Sequence, residues 1–444
     1  MQLPVPMANL IDHAKRTSTL GGNVMWAIEA TIITPLKQIP MVLPTGLARD
    51  SFFAIKHADD YQIEGSIQPG LYQQEVLPYK DDLYLELILR AGVQQTAYKF
   101  RAVPLHVSNP SIESNHSELL NLRGLDVNNI VTIKMQLMEC NYDVLKTLPY
   151  SNTFLMCTTR DALHHIFNEA NVGTSFSQIN AERYYGPDIE EPTDNPKVYK
   201  QIIVPQGLRL IDVPNFLQYD DHYGIYSKGI GSFYRKGYYY FFPLFQMGGY
   251  NKASKVLDIY RIPPDIAPTL EQTYFYNTKT VSIISTGNST YQDHSDIDKQ
   301  NDGVGKRVVS GDAVMGETGY YYGKGEAVTT RPDSVSEYKT SERKSGNEYI
   351  PFADKPTGNV FASLSINARN DGELITIPWD NSNSDMIIPG MCCKIYYLEG
   401  KDSVKFREGK VLGVRTEYRK NKESTHKVFR EYSVLTLFLS KVEQ

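Results

Sequence analysis

The densest group of titratable side chains in the middle of the chain is Asp220, Asp221 and His222, in the stretch YDDHYG. Two carboxylates beside an imidazole can hold a divalent metal or relay a proton. No further ligand stands at a fixed spacing from them, and the stretch reads as the solvated end of a short helix opened by Pro214 and closed by Gly224. His164 and His165 are consecutive on a second expected helix and so cannot converge on one ion. GVGKR (303–307) offers a Gly-Lys pair, but Gln300 and Arg307 stand where a phosphate-binding loop needs Gly and Ser or Thr. DIDKQNDG (296–303) places Asp298, Gln300 and Asp302 ahead of Gly303 as in a calcium loop, with Val309 where the bidentate carboxylate belongs. HExxH and G-x-S-x-G are absent. The sequence nominates no catalytic residue, no cofactor and no metal ligand, and no local motif marks a pair of facing carboxylates.

The four cysteines, Cys140, Cys157, Cys392 and Cys393, form neither a CxxC pair nor a Cys/His cluster at zinc spacing. Cys392 and Cys393 would point to opposite faces of a strand, so all four are expected to be reduced thiols. The first residues, MQLPVPMANLIDHAKR, lack a basic segment followed by an apolar core, and no apolar run approaches the roughly 20 residues that span a bilayer. A net charge of −5 supplies no basic field for gripping phosphates, which argues against sequence-specific nucleic-acid binding. The most basic stretch, KFREGK to RTEYRKNKESTHK (405–427), alternates charge with apolar residues, as on the outer face of a hairpin.

The elements that must carry these side chains are mostly strands. In DLYLELILR, Leu83, Leu85, Leu87 and Leu89 share one face; in EYSVLTLFLS, Leu435, Leu437 and Leu439 do the same. Similar runs at 131–140, 279–286, 374–379, 393–400 and 410–419 are separated by turn signals such as Pro69-Gly70 and Pro389-Gly390. This predicts a mainly β fold with a smaller α/β module. The clearest helix is TTRDALHHIFNEAN (158–171), with a Thr158/Thr159 cap, Asp161 in its first turn and Leu163, Ile166 and Phe167 on one stripe. Residues 286–358 are polar and nearly aliphatic-free, and read as an arm that orders on a partner.

Tyrosine is the compositional outlier, with 31 Tyr against 17 Phe and 2 Trp, and YYYFFPLF (238–245) concentrates it. In order, the central third runs TTRDALHHIFNEA, KQIIVPQGLRLIDVPNFLQ, YDDHYGIYSKGIGSFYRKGYYYFFPLF and SKVLDIYRIPP. This succession resembles the tail hub family of contractile phage tails and related injection machines. The likeness is carried by Pro205, Pro214, Leu217, Tyr223, Gly224, Tyr226, Gly231, Phe233, Tyr240 and Phe241. SIQPGLYQQEVLPYKDDLYLELIL and LITIPWDNSNSDMIIPGMCCKIYYLEG look like flanking pieces of the two barrels of such hubs.

The resemblance implies two tail-tube-like antiparallel β-barrels and a central mixed module. The expected division is 1–145 as a first barrel with an N-terminal arm, 146–265 as the module, and 266–444 as a second barrel holding the 286–358 insertion. It further implies a structural, non-enzymatic homotrimer in the virion tail baseplate, assembled in the host cytoplasm. Six barrels would match a hexameric tail tube above, and three-fold symmetry a separate trimeric spike below. Baseplate wedge or sheath-proximal proteins would meet the insertion, DNA would pass through the lumen, and the protein itself would bind no membrane. On this view residues 233–245 form a hairpin whose aromatic side chains alternate between the core and a surface facing another subunit or the spike. Another baseplate or tube-terminator component remains a second reading. A cell-wall-binding or degrading tail protein that stacks sugars on the aromatic cluster is a third.

Overall fold

The computed structural model describes residues 3–20, 25–91, 94–105, 131–173, 183–191, 193–220, 223–266, 272–293, 307–310, 325–331, 335–340, 371–400, 403–420 and 428–441, with 361, 364, 365, 368 and 369. The fold is mainly β. A first group of strands comprises β1 (Thr19–Leu20), β2 (Met25–Ile33), β3 (Gln38–Pro40), β4 (Leu43–Phe52), β5 (Asp60–Ile67), β6 (Leu83–Ala91), β7 (Gln94–Pro104) and β8 (Val131–Glu139). The middle of the chain adds β9 (Pro149–Cys157), the helix Thr159–Gly173, β10 (Gly186–Ile189), β11 (Tyr199–Arg209), β12 (Ile230–Arg235) and β13 (Tyr238–Pro243). The last part contributes β14 (Val256–Arg261), β15 (Tyr274–Tyr276), β16 (Thr280–Ser285), β17 (Thr290–Asp293), β18 (Arg307–Ser310), β19 (Gly325–Arg331), β20 (Val335–Thr340), β21 (Gly372–Asp380), β22 (Cys392–Glu399), β23 (Ser403–Lys420) and β24 (Val428–Ser440).

Backbone pairing runs β23-β4-β5-β8-β7-β6-β2-β24, and β24 pairs back onto β23, so eight strands close a ring. All its pairings are antiparallel. The ring encloses Ile28, Ile32, Ile63, Leu83, Leu85, Leu87, Phe100, Met135 and Leu137, which are buried. A closed ring of about eight strands is just wide enough for side chains to fill. Its interior is therefore core, and the period-2 leucines of β6 point into it as their alternation requires.

The 18 residues of β23 serve two sheets. Residues 403–410 pair with β22, and 413–418 pair with β4. The change of partner falls at a bulge between Val411 and Gly413 against β24. Leu412, the extra residue, gives its carbonyl to the Phe53 N–H at 2.8 Å instead of the ladder. A Cβ at Gly413 would press on Phe52, which is why glycine turns this corner. On the far side of the corner the order continues β1-β15-β16-β14-β22-β23-β24-β21-β17. Its ends approach through side chains: Ser285 Oγ donates to the Pro378 carbonyl at 2.7 Å, and the Tyr274 and Trp379 rings meet edge-on at 6.0 Å. This second sheet departs from the expected all-antiparallel pattern, because β14 runs parallel to both β16 and β22. Long connections between those strands, rather than hairpins, make parallel neighbours possible.

The middle of the chain packs between the two sheets around Leu163, Ile166, Phe167, Ile202, Leu217, Tyr226, Tyr239 and Phe241. β14, grouped with this middle third by the sequence reading, lies in the second sheet instead, between β16 and β22. The helix Val5–Thr17 lays Met7, Ile11 and Ala14 on Tyr260, Ile262, Phe275 and Ile284 of the second sheet. Within the polar insertion, β18, β20 and β19 form a small antiparallel sheet.

Candidate functional site

The sequence candidates for chemistry do not converge. Asp220 ends a short helical turn, Phe216–Asp220, and Asp221 and His222 lie outside the described residues, as do 294–306 with the would-be calcium loop and Gly305-Lys306. His164 and His165 lie on the exposed side of the helix Thr159–Gly173; His164 contacts Asn168 and His165 faces Glu169 at 3.3 Å. Among the described residues no group of three or more His, Cys, Asp or Glu is placed to hold a metal ion. All four cysteines are free. Burial pushes the Cys392 thiol up to about 11 and Cys393 well above the ordinary range, so both are poor nucleophiles.

The aromatic stretch is resolved by its register. β13 pairs antiparallel with β12 and parallel with β10, and alternate side chains enter two different cores. Tyr239 and Phe241 join the central core at 0% and 1% exposure. Phe233 and Phe242, with Leu244, enter the core of the second sheet. Gly390 belongs to the Pro389-Gly390 turn and keeps a positive φ of 71°, and a Cβ there would strike the Phe242 ring. The outward, subunit-facing half expected of this hairpin is corrected for these residues: both of its faces are occupied inside the chain. Among the described aromatic side chains of the hairpin Tyr238 remains substantially exposed, stacked on exposed Tyr185 with ring centroids 4.7 Å apart. A sugar-stacking platform at Tyr239 and Phe241 has no open ring face.

Where the ring, the module and the second sheet meet lies a buried ionic cluster. Arg49 on β4 donates to Asp385 at 2.5 Å, to the Tyr61 hydroxyl at 3.2 Å, and to Ser384. Arg235 on β12 faces Asp59 at 3.3 Å and Asp385 at 3.4 Å, and donates to the carbonyls of Ile387 and Ser384. Lys236 lies 3.3 Å from Asp385, and the Tyr98 hydroxyl donates to the same carboxylate at 3.1 Å. Glu431 on β24 accepts from the Ser384 N–H at 2.7 Å, from the Ser384 hydroxyl, and from Ser382 at 3.3 Å. Burial alone would push the Asp385 carboxyl up, but Arg49, Lys236 and Arg235 outweigh it and hold the group far below the usual carboxylate range. Burial of Glu431 prevails over the attraction of Arg49 and the Ser384 hydrogen bonds, and its carboxyl is raised.

A second tie joins the module to β23. Lys410 is fully buried and donates to both oxygens of Glu190 at 2.6 and 2.7 Å. Arg407, also buried, meets Glu373 at 2.7 Å. The expectation of a solvated outer hairpin face at 405–427 therefore holds for Lys405, Arg415 and Arg419 but is corrected for Arg407 and Lys410. The module and β21 cover the strand where those two side chains emerge. A cavity of about 310 Å³ opens beside Glu190 and is lined by Asp188, Tyr240, Lys255, Pro389 and Cys392.

The remaining notable surface is the ribbon β9–β11, whose strands pair only with one another among the described residues. Its inner side chains Phe154, Ile202 and Val204 pack under the helix Thr159–Gly173, and its outer ones are Ser151, Thr153, Leu155, Gln201 and Ile203. The buried ties hold three sub-structures together, and the outer face of the ribbon exposes Leu155, Met156 and Ile203.

No protein-family model and no curated protein matches the chain. Among solved structures it aligns with the tail protein from Neisseria meningitidis MC58 at a TM-score of 0.44 and 10% identity, covering 93% of this chain and 96% of that one. The 43 kDa tail protein of prophage MuSo2 from Shewanella oneidensis gives a TM-score of 0.44 and 9% identity over 93% and 96% of the two chains. The c3393 protein of E. coli, described as a component of the type VI secretion system, gives a TM-score of 0.40 and 9% identity over 93% of this chain and 77% of that one.

Proposed function

We propose that the chain is the hub of a contractile tail or related injection machine, a structural part of the baseplate rather than an enzyme. In this reading three copies associate, fit beneath a hexameric tail tube, carry a separate trimeric spike and line the central channel. The observation that carries it is the shared hairpin β23–β24. One chain bears two strand assemblies side by side, joined covalently by the same two strands and clamped by the Arg49–Asp385–Arg235 cluster. A part that converts three-fold into six-fold order needs such a pair in fixed relative orientation. The ring's interior is filled, so the channel in this reading runs between copies and is walled by the outsides of the sheets. The acidic balance suits a wall that DNA must leave freely. The 286–358 insertion would meet neighbouring baseplate proteins.

The test is assembly. Purified chain is mixed with the tail-tube protein of the same particle and imaged by negative stain. Three-fold caps on one tube end support the hub. A six-fold ring of this chain alone would transfer the assignment to a tube or terminator role. A cleared band on a peptidoglycan zymogram would overturn the non-enzymatic reading.

A further inference from the structure

The geometry points to a docking groove for an acidic polypeptide segment on the outer face of β23, β24 and β21, where Arg419 and Arg430 grip a carboxylate of the partner. The groove lies within one copy of the chain, so it stands apart from the self-association proposed above.

Arg419 and Arg430 are direct partners in the β23–β24 ladder, and both side chains are exposed. Residues directly opposite on antiparallel strands share a face with Cβ atoms about 5 Å apart, and like charges there repel. Arg419 gives its Nε and Nη2 donors to Glu417 at 3.3 and 3.1 Å and lays its guanidinium on the Tyr432 ring at 3.8 Å. These contacts fix the group and leave Nη1 unused among the described residues. Arg430 makes no hydrogen bond or ion pair among them. A held guanidinium facing a second one, with donors to spare on both, is a clamp for an oxyanion. The local field is positive whatever the hairpin tip adds: from Arg415 to Arg430 the chain carries six Lys or Arg against two Glu, in a molecule of net charge −5.

The lining selects the occupant. A hollow of about 410 Å³ beside the clamp is lined by Asp380, Asn381, Arg419, Lys420, Arg430 and Tyr432. Asp380 is opposite Tyr432 in the β21–β24 ladder, so it stands diagonally from Arg430, about 7–8 Å away. It has no ion-pair partner among the described residues. A nucleic-acid strand carries a charge about every 3.4 Å, so a phosphate in the clamp would press its neighbours on Asp380. An extended polypeptide spaces its same-face side chains by about 6–7 Å. A Glu or Asp over the arginines can then be followed, two residues on, by a hydroxyl or amide that donates to Asp380. Past Asp380 and Tyr432 the groove continues into a hollow of about 330 Å³ whose other lining side chains, Thr290, Thr376 and Val434 among them, are uncharged. One anionic group followed by a neutral run matches a protein segment and not a phosphate backbone.

The experiment is fluorescence anisotropy on the full chain at low salt, with a labelled peptide of Glu-Gly-Ser-Gly repeats and a single-stranded oligonucleotide of equal charge. The double variant Arg419→Gln/Arg430→Gln is set against Lys37→Gln/Lys405→Gln, which removes the same charge from exposed positions outside the groove. The peptide is expected to bind wild type and the control alike, and the groove variant about tenfold more weakly. The thermal midpoint of Arg430→Gln alone is expected at or above that of wild type, because the change removes a repulsion and no internal contact. A midpoint that falls makes Arg430 a structural residue and overturns the clamp. Equal weakening in the control, or no peptide binding by wild type at millimolar concentration, overturns the groove. Tighter binding of the oligonucleotide overturns the polypeptide occupant.

Discussion

At Asp385 the positive groups of Arg49, Arg235 and Lys236 meet one carboxylate, and removing it leaves the buried Arg49 guanidinium without its paired carboxylate while Arg235 keeps Asp59. Breaking a buried pair in this way typically costs about 3–5 kcal/mol; because 34% of the Asp385 side chain still reaches solvent, the lower end, about 3 kcal/mol, is expected for Asp385→Asn. Urea titration measures it, and a loss under about 1 kcal/mol would remove the cluster from the list of structural ties. The pH dependence carries a sign. The folded Asp385 carboxyl lies below its ordinary value of about 3.9, so its contribution is present above that pH and lost as acid is added. Glu431 works oppositely: its raised carboxyl contributes below about 4.3, and that contribution disappears as pH rises through its folded value. Thermal midpoints between pH 3 and 7 should therefore fall less steeply toward acid in Asp385→Asn than in wild type.

The β12–β13 hairpin and the β23 corner are the elements on which the architecture turns. Phe242 fills the second sheet's core from a strand whose other face belongs to the module, so Phe242→Ala empties a cavity at the boundary. The expected loss is about 3–5 kcal/mol, measured by denaturant unfolding. A transition that splits into two would show that the boundary unfolds separately from the ring. At the corner, Gly413→Val forces a side chain onto Phe52, with an expected loss of about 1–3 kcal/mol and no change in the denaturant slope. These elements were partly legible. Alternation located the strands containing Leu83–Leu89 and Leu435–Leu439 because one face of each is core. It failed for β13, since a strand buried on both faces has no polar phase. The N-terminal helix went unread although Met7, Ile11 and Ala14 stand at helical spacing, because three apolar positions behind two prolines are a weak signal.

For the whole molecule, the decisive quantity is mass in solution. A value near three times the 50.3 kDa chain mass is expected from light scattering behind a sizing column. A six-fold value would favour a tube-like ring. Rigidity is the companion expectation: small-angle scattering of the assembled species should fit one fixed arrangement of ring, module and second sheet. The shared hairpin joins ring and second sheet, and the Lys410–Glu190 tie fastens the module to β23.

The sequence by itself determined the fold class and the best helix with its Thr158 cap, donating to Asp161 at 2.7 Å. These depend on neighbours within a turn or a strand, where periodicity and side-chain chemistry act directly. Only the tertiary structure decided that β23 and β24 belong to both sheets, that YYYFFPLF is divided between two cores, and that Arg49 finds Asp385 across 336 positions. Nothing local specifies those pairings. A buried arginine is written in the same letters as an exposed one, and its partner is set by which strands close the ring.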